Sequence, residues 1–229
     1  LSRHQTTLLA SLALVAAAAV GVRDASAEPV FGALAGYARG TLDRGAEERF
    51  AGPVFQVYGG YQYWKLNTHL FVQSMDLDYE YAGDRYQGVY ATTGLGVSYL
   101  KQGVSFNRPH KLTFAAQLPL TTAFTVLSES SGTINDNDYI NSSLSTLQGG
   151  QGAQVLGGIE WTAVGRGGAK TGENFSWGFY LSYLTHTFAK ESTRIKTNNS
   201  DLAPPSPGTI PARAKVATTG FLFGFSYDL

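Results

Sequence analysis

The last ten residues of the chain, Gly220 to Leu229, alternate without a break. Phe221, Phe223, Phe225, Tyr227 and Leu229 fall on one face; Leu222, Gly224, Ser226 and Asp228 fall on the other. A period of two is that of a β-strand whose two faces meet unlike surroundings. The same alternation recurs along the chain, and almost no helical segment remains to cover the bulky faces. A bilayer covers them. Backbone groups in hydrocarbon must all be paired, and a sheet achieves that only by closing on itself. The expected fold is all-β: a transmembrane antiparallel up-and-down β-barrel of about eight strands.

Hydropathy alone conceals such a fold, because lipid-facing and lumen-facing residues cancel along each strand. Here mean hydropathy is −0.10 with 43% hydrophobic residues. The chain balances 17 basic against 17 acidic residues, so no nucleic-acid partner is expected. It has no cysteine, which removes disulfides, thiolate metal sites and thiol catalysis. No cofactor and no metal are expected.

Residues 1–27 read as a signal peptide. Arg3 and His4 precede an apolar run from Leu8 to Val20, and Ala25-Ser26-Ala27 forms a small-residue cleavage site. An uncleaved anchor is the alternative. The barrel domain is then 28–229. Within it, 30–41 fits a helix or a strand; the glycines at 32, 36 and 40 favour the strand. Residues 42–52 are charged and read as a loop.

Clear alternation follows. Phe55, Val57, Tyr61 and Tyr63 oppose Gln56, Tyr58, Gly60 and Gln62. After a turn at Asn67-Thr68, Met75, Leu77, Tyr79 and Tyr81 oppose Asp76, Asp78 and Glu80. Val89 to Tyr99, Leu112 to Leu120, Ala153 to Trp161 and Trp177 to Tyr183 repeat the pattern. Pro119 removes a ladder donor and is expected at a bulge. The polar stretches 128–150 and 191–214 read as long loops, the second with Pro204, Pro205 and Pro207. With the first strand starting in the periplasm, both fall on the outer side, as such barrels require.

The inward set carries the charges Asp76, Asp78, Glu80, Lys111 and Glu160, with His186 a further candidate for it. Two readings stay open: a salt-bridged plug that holds the lumen shut, and a narrow polar conduit selective for cations. The outward aromatics Tyr63, Trp64, Tyr79, Tyr81, Tyr99, Trp177 and Tyr227 are expected near the two membrane interfaces.

Little in the sequence suggests an enzyme. Gly165 to Thr171 approaches a phosphate-binding loop, but Ala169 stands where glycine must precede the lysine. Asn135 to Asp138 lacks the glycine and distal glutamate of a calcium loop. His186 lies near the outer end of a strand with Thr185, Thr187 and Glu191 nearby, a spacing too general to define a catalytic group.

The terminal stretch, with Phe221, Phe223, Phe225, Tyr227 and Leu229, resembles the assembly signal of bacterial outer-membrane barrels, although Leu229 replaces the usual terminal Phe. With the signal peptide and Gly52-Pro53-Val54-Phe55-Gln56-Val57-Tyr58-Gly59-Gly60-Tyr61, the chain resembles the small outer-membrane barrels of the OmpA/OmpX kind, including the OmpW-like group. The resemblance implies the outer membrane of a Gram-negative bacterium. It also implies membrane lipid, lipopolysaccharide and the assembly machinery as partners, and a surface ligand for the outer loops. Three roles remain: a structural or surface-interaction barrel, a narrow pore for small solutes, and a lipid-modifying enzyme using His186. Fold alone does not choose among them.

Overall fold

The computed structural model describes residues 27–45, 47–63, 65–81, 84–105, 108–134, 137–162, 175–197, 208–211 and 213–228, and of 79–81, 84–86, 101–105, 108–110, 127–134, 137–143, 162, 193–197, 208–211 and 228 the backbone alone. Residues 1–26 of the expected signal peptide, Trp64 and Leu229 lie outside the described residues, as do the side chains of Tyr79, Glu80 and Tyr81. The strands are β1 (Glu28–Asp43), β2 (Glu47–Tyr63), β3 (Leu66–Tyr81), β4 (Asp84–Ser105), β5 (Arg108–Ile134), β6 (Asn137–Gln148), β7 (Gln151–Thr162), β8 (Phe175–Thr187), β9 (Lys190–Thr197), β10 (Gly208–Pro211) and β11 (Lys215–Asp228). Residues 30–41 are therefore a strand. The charged stretch 42–52 also belongs to strands, apart from a tight turn around Arg44 and Gly45.

Eight strands close the wall in the order β1-β2-β3-β4-β5-β7-β8-β11, and β11 returns to β1 along Val30↔Asp228 to Asp43↔Lys215. All pairings are antiparallel. No helix among the described residues is long and apolar enough to cross a membrane; crossing is by strands.

The remaining strands are not separate pieces. β6 and β7 oppose β5 in one unbroken register, with Gln148 across from Ala123 and Gln154 across from Gln117. β8 and β9 likewise keep one register against that strand, with Gln151 across from Thr187 and Gln148 across from Lys190. The described residues of 128–150, expected as a loop, are thus almost all ladder, and so are 191–197 and 208–211 of the second expected loop, 191–214; 198–207 lie outside the described residues. Four wall strands run on past the rim as the sheet β5-β6-β9-β10. Their polar sequence misleads because no apolar stripe of period two marks it. β5 alone has 27 residues, where roughly 9–11 suffice to cross a bilayer. Long excursions mark the outer side and short turns the periplasmic side. The extended end is therefore outer, and both termini of the barrel lie at the periplasmic end.

One line of irregularities crosses this wall. A bulge in β5 sets Gly94 opposite Pro119 and Thr93 opposite Thr121, which is the bulge expected at the proline. Gly149 and Gly150, with φ of 65° and 91°, separate β6 from β7; those left-handed values favour glycine. Phe188 and Ala189 separate β8 from β9, and Arg213 and Ala214 precede β11 after the end of β10 at Pro211. Backbone bonds run along the line, from Gly149 N–H to Thr122 O, Ala189 N–H to Gln148 O and Phe188 N–H to Ala214 O. The breaks sit at one height and form a crease between barrel and outer sheet.

The outward face follows the expected alternation on β1, β2, β4, β5, β7, β8 and β11. Phe221, Phe223, Phe225 and Tyr227 are 44–55% exposed, and Leu95, Val97, Phe114 and Leu118 are exposed likewise. Tyr63, Tyr99 and Tyr227 ring the periplasmic end. Trp177 lies half-buried against Trp161, with ring centroids 5.0 Å apart, and Phe175 stacks on Phe225 at 6.1 Å. Tyr37 and Tyr183, both exposed, stand level with Phe221 and Thr219 in the register. Thr219 to Tyr227 is about nine residues of β11, enough to cross hydrocarbon.

On β3 the expected faces are reversed. Met75 and Leu77 are buried in the lumen at 1% and 3% exposure, and Asp76 and Asp78 are exposed on the outside. Cross-strand partners share a face. Tyr63 opposite Leu66 places the outward odd positions of β2 against even positions of β3. The outward series Leu66, Thr68, Leu70, Val72, Ser74, Asp76, Asp78 turns from apolar to charged as it climbs, which marks the upper edge of the lipid band on this wall. The turn itself lies before Leu66, and Asn67 and Thr68 are within the strand.

Candidate functional site

The lumen has two unlike halves. Toward the outer end Leu42, Phe50, Val54, Met75, Leu77, Tyr90, Phe124 and Val126 form one buried apolar cluster. Leu147 and Phe188, brought over the mouth at the crease, complete it. Phe124 lies 6.0 Å from Phe50 and 6.4 Å from Phe188 between ring centroids. Packing of this kind excludes water as a protein core does. Above it, Arg44 on the β1–β2 turn meets Glu48 Oε2 at 3.1 Å and Glu191 Oε1 at 3.4 Å. Ser145 Oγ donates to Glu191 Oε1 at 2.6 Å. These contacts tie the short side of the rim to the extended side.

Toward the periplasmic end lies a chamber of about 40 Å³, room for about three waters, with a mixed lining in which Val30, Leu34 and Leu156 stand among polar side chains. Gln56, Asn67, His69, Gln117 and Glu160 line it, with Lys111, Tyr180 and Ser226. Inward glycines seat its larger rings flat on the neighbouring strand. A Cβ on Gly96 would fall 2.2 Å from the His69 ring, and one on Gly158 would fall 2.3 Å from Tyr180.

Of the charges expected inside, Glu160 and Lys111 line this chamber and face each other in the β5–β7 register. Asp76 and Asp78 do not. Glu160 is 3% exposed, accepting from Thr113 Oγ1 at 2.5 Å and Ser226 Oγ at 3.0 Å. Hydrogen bonds to a charged group contribute about 1.5–3 kcal/mol each. Glu160→Leu, which removes both, is therefore expected to lower the urea-unfolding midpoint in lipid vesicles, with Glu160→Gln intermediate. A midpoint unchanged by Glu160→Leu would contradict this role.

Sequence reading missed Arg44, Glu48, Gln56, His69 and Gln117. Arg44 and Glu48 fell in a stretch read as loop. Gln56 and Gln117 did stand on the inward faces of their strands; what marks them as part of a site is their depth and their neighbours, which come from other strands. His186 is inward and 2% exposed. A carbonyl only accepts, so its Nε2 carries the proton donated to Gly149 O at 2.7 Å. Its ring lies 4.7 Å from Phe188. The histidine pins the crease and does not face lipid. Among the described residues no three histidine, cysteine or acidic side chains are grouped to hold a metal ion.

No protein-family model matches the chain, and no curated protein matches it. Among solved structures it is similar to Neisserial surface protein A, at 15% identity and a TM-score of 0.47, over 86% of this chain and 96% of that one. It is similar to Ail, the attachment invasion locus protein of Yersinia pestis, in complex with the heparin analogue sucrose octasulfate, at 11% identity and a TM-score of 0.40, over 87% and 99%. An outer-membrane channel from Pseudomonas putida F1 aligns at 8% identity and a TM-score of 0.29, over 88% and 96%. The fold assignment rests on the closed wall, the lipid-facing band and its aromatic borders. This chain is a small eight-stranded β-barrel of the outer-membrane type, closed on itself and apolar on its outward wall.

Proposed function

We propose that the protein is a surface-interaction barrel and neither a pore nor an enzyme. One observation carries the reading: four wall strands continue past the rim as a laddered sheet, while the mouth beneath them is filled by Phe124, Leu147 and Phe188. A sheet of this kind has edge strands, β10 and the upper part of β5, with backbone groups open to pairing. It offers a ligand a preformed surface in place of a mobile loop. The apolar filling argues against solute passage, and the buried His186 argues against lipid chemistry. The aromatic face of β11 supports contact with the assembly machinery, and the lipid-facing wall supports contact with lipopolysaccharide.

The test compares the full chain with a variant shortened above the crease, in which 128–143 and 193–210 are replaced by short turns. The variant is expected to keep a gel band that shifts on boiling, and to lose the wild type's binding to an array of surface polysaccharides and extracellular proteins. Neither form is expected to conduct in planar bilayers. Stable conductance steps from the wild type, or array binding that survives shortening, would refute the proposal.

A further inference from the structure

We propose that the periplasmic chamber is a binding site for a small uncharged solute bearing both hydrogen-bond donors and acceptors, of the amide or polyol class. The chamber contains buried polar atoms with no partner among the described residues: Gln56 Oε1 and Nε2, Asn67 Oδ1, His69 Nδ1 and Gln117 Oε1. Their side chains are 1–6% exposed, and all of them line the same cavity. A buried polar group left unmatched is costly, so such a cluster calls for an occupant.

The kinds of unmatched atom define the occupant. Gln117 Nε2 donates to His69 Nε2 at 3.0 Å, which leaves the proton of His69 on Nδ1 as a free donor. The chamber then offers two donors, His69 Nδ1 and Gln56 Nε2, and three acceptors, on Gln56, Asn67 and Gln117. Turning the Gln117 amide over exchanges roles along this pair and still leaves both kinds unmatched. A bare cation would serve only the oxygens, and an anion only the N–H groups. Glu160 and Lys111 on the opposite wall bring one charge of each sign, so the chamber has no net preference for an ion. A solute with both functions, of roughly four to six non-hydrogen atoms by the volume of about three waters, is complementary. The apolar filling closes the outer route, so the solute enters and leaves on the periplasmic side. This inference is independent of the role given to the outer sheet.

The full barrel in lipid nanodiscs is titrated with glycerol and with acetamide, while NMR follows the side-chain amides of Gln56 and Gln117. Saturable shifts are expected, with each probe displacing the other. Gln56→Leu is expected to weaken binding about tenfold, the loss of one well-placed polar contact. Ala115→Leu, which fills the chamber from β5, is expected to do the same and carries the mutational test if Gln56→Leu does not fold. Shifts that rise linearly without saturating would show a chamber holding water only and would overturn the proposal. So would tighter binding of ammonium or acetate than of the neutral probes, or binding unaltered by the variants that fold.

Discussion

Gly36→Val is expected to leave the barrel unable to close. Gly36 lies opposite Leu222 on the seam where the first strand meets the last. A Cβ there would fall 2.1 Å from the carbonyl oxygen of Phe221 and 2.8 Å from Cα of Leu222. Both obstacles are backbone, so no side-chain rotation relieves them and the strands must part. Overpacking in a well-filled site costs about 1–3 kcal/mol and occasionally more, and here it also strips ladder hydrogen bonds that hydrocarbon cannot replace. The measurement is gel mobility in mild detergent, boiled against unboiled: the variant should lose the fast unboiled band. Gly157→Val is the control, because its Cβ meets only Phe114 at 4.0 Å and the band should persist. A wild-type shift in Gly36→Val would mean that the seam is not closed as described.

Phe223→Arg is expected to destabilise the barrel in lipid by about 2–4 kcal/mol, the effect of a charge at the midplane of a lipid-facing wall. Phe223 is 46% exposed, midway between Tyr227 and Thr219, the latter level with Tyr183, and its ring packs 5.4 Å from Phe179 and 6.3 Å from Trp177. Asp76→Arg is also outward but stands at the upper edge of the band, where a basic residue costs about 0–1 kcal/mol. Urea unfolding in phospholipid vesicles should therefore separate the two variants widely. Equal midpoints would remove the lipid assignment of β11. A severe loss from Asp76→Arg would return that residue to the lumen.

The barrel was legible in the sequence because lipid writes a strong code: aromatics and aliphatics at every second position over nine or more residues. That code gave the faces of most wall strands, the bulge at Pro119 and the even strand number. It failed on β3 because Met75 and Leu77 look like lipid-facing residues when their strand is read alone. The hairpin geometry from Tyr63 to Leu66 held the answer, since partner positions share a face whatever their chemistry. It failed again at 128–150, 191–197 and 208–211, where the strands carry no apolar stripe and their serines and asparagines read as loop. The chamber was illegible for a different reason. Its members come one or two per strand from most of the wall, and nothing local distinguishes a glutamine facing a cavity from one facing packed neighbours.

The crease has a mechanical consequence. Flexible surface loops would let their tips wander while the barrel beneath stayed unaffected. Here the ladder is continuous in register across β6 and β7 and across β8 and β9, and the breaks in four strands are aligned. The outer sheet can then tilt only as a unit, about that one line, as a door turns on its jamb. Leu147 and Phe188, which close the mouth, sit on the line itself, and Arg44 latches the free side to Glu191. The angle of the sheet and the seal of the lumen are thus one coordinate, so a force applied at the far tip is borne at the mouth.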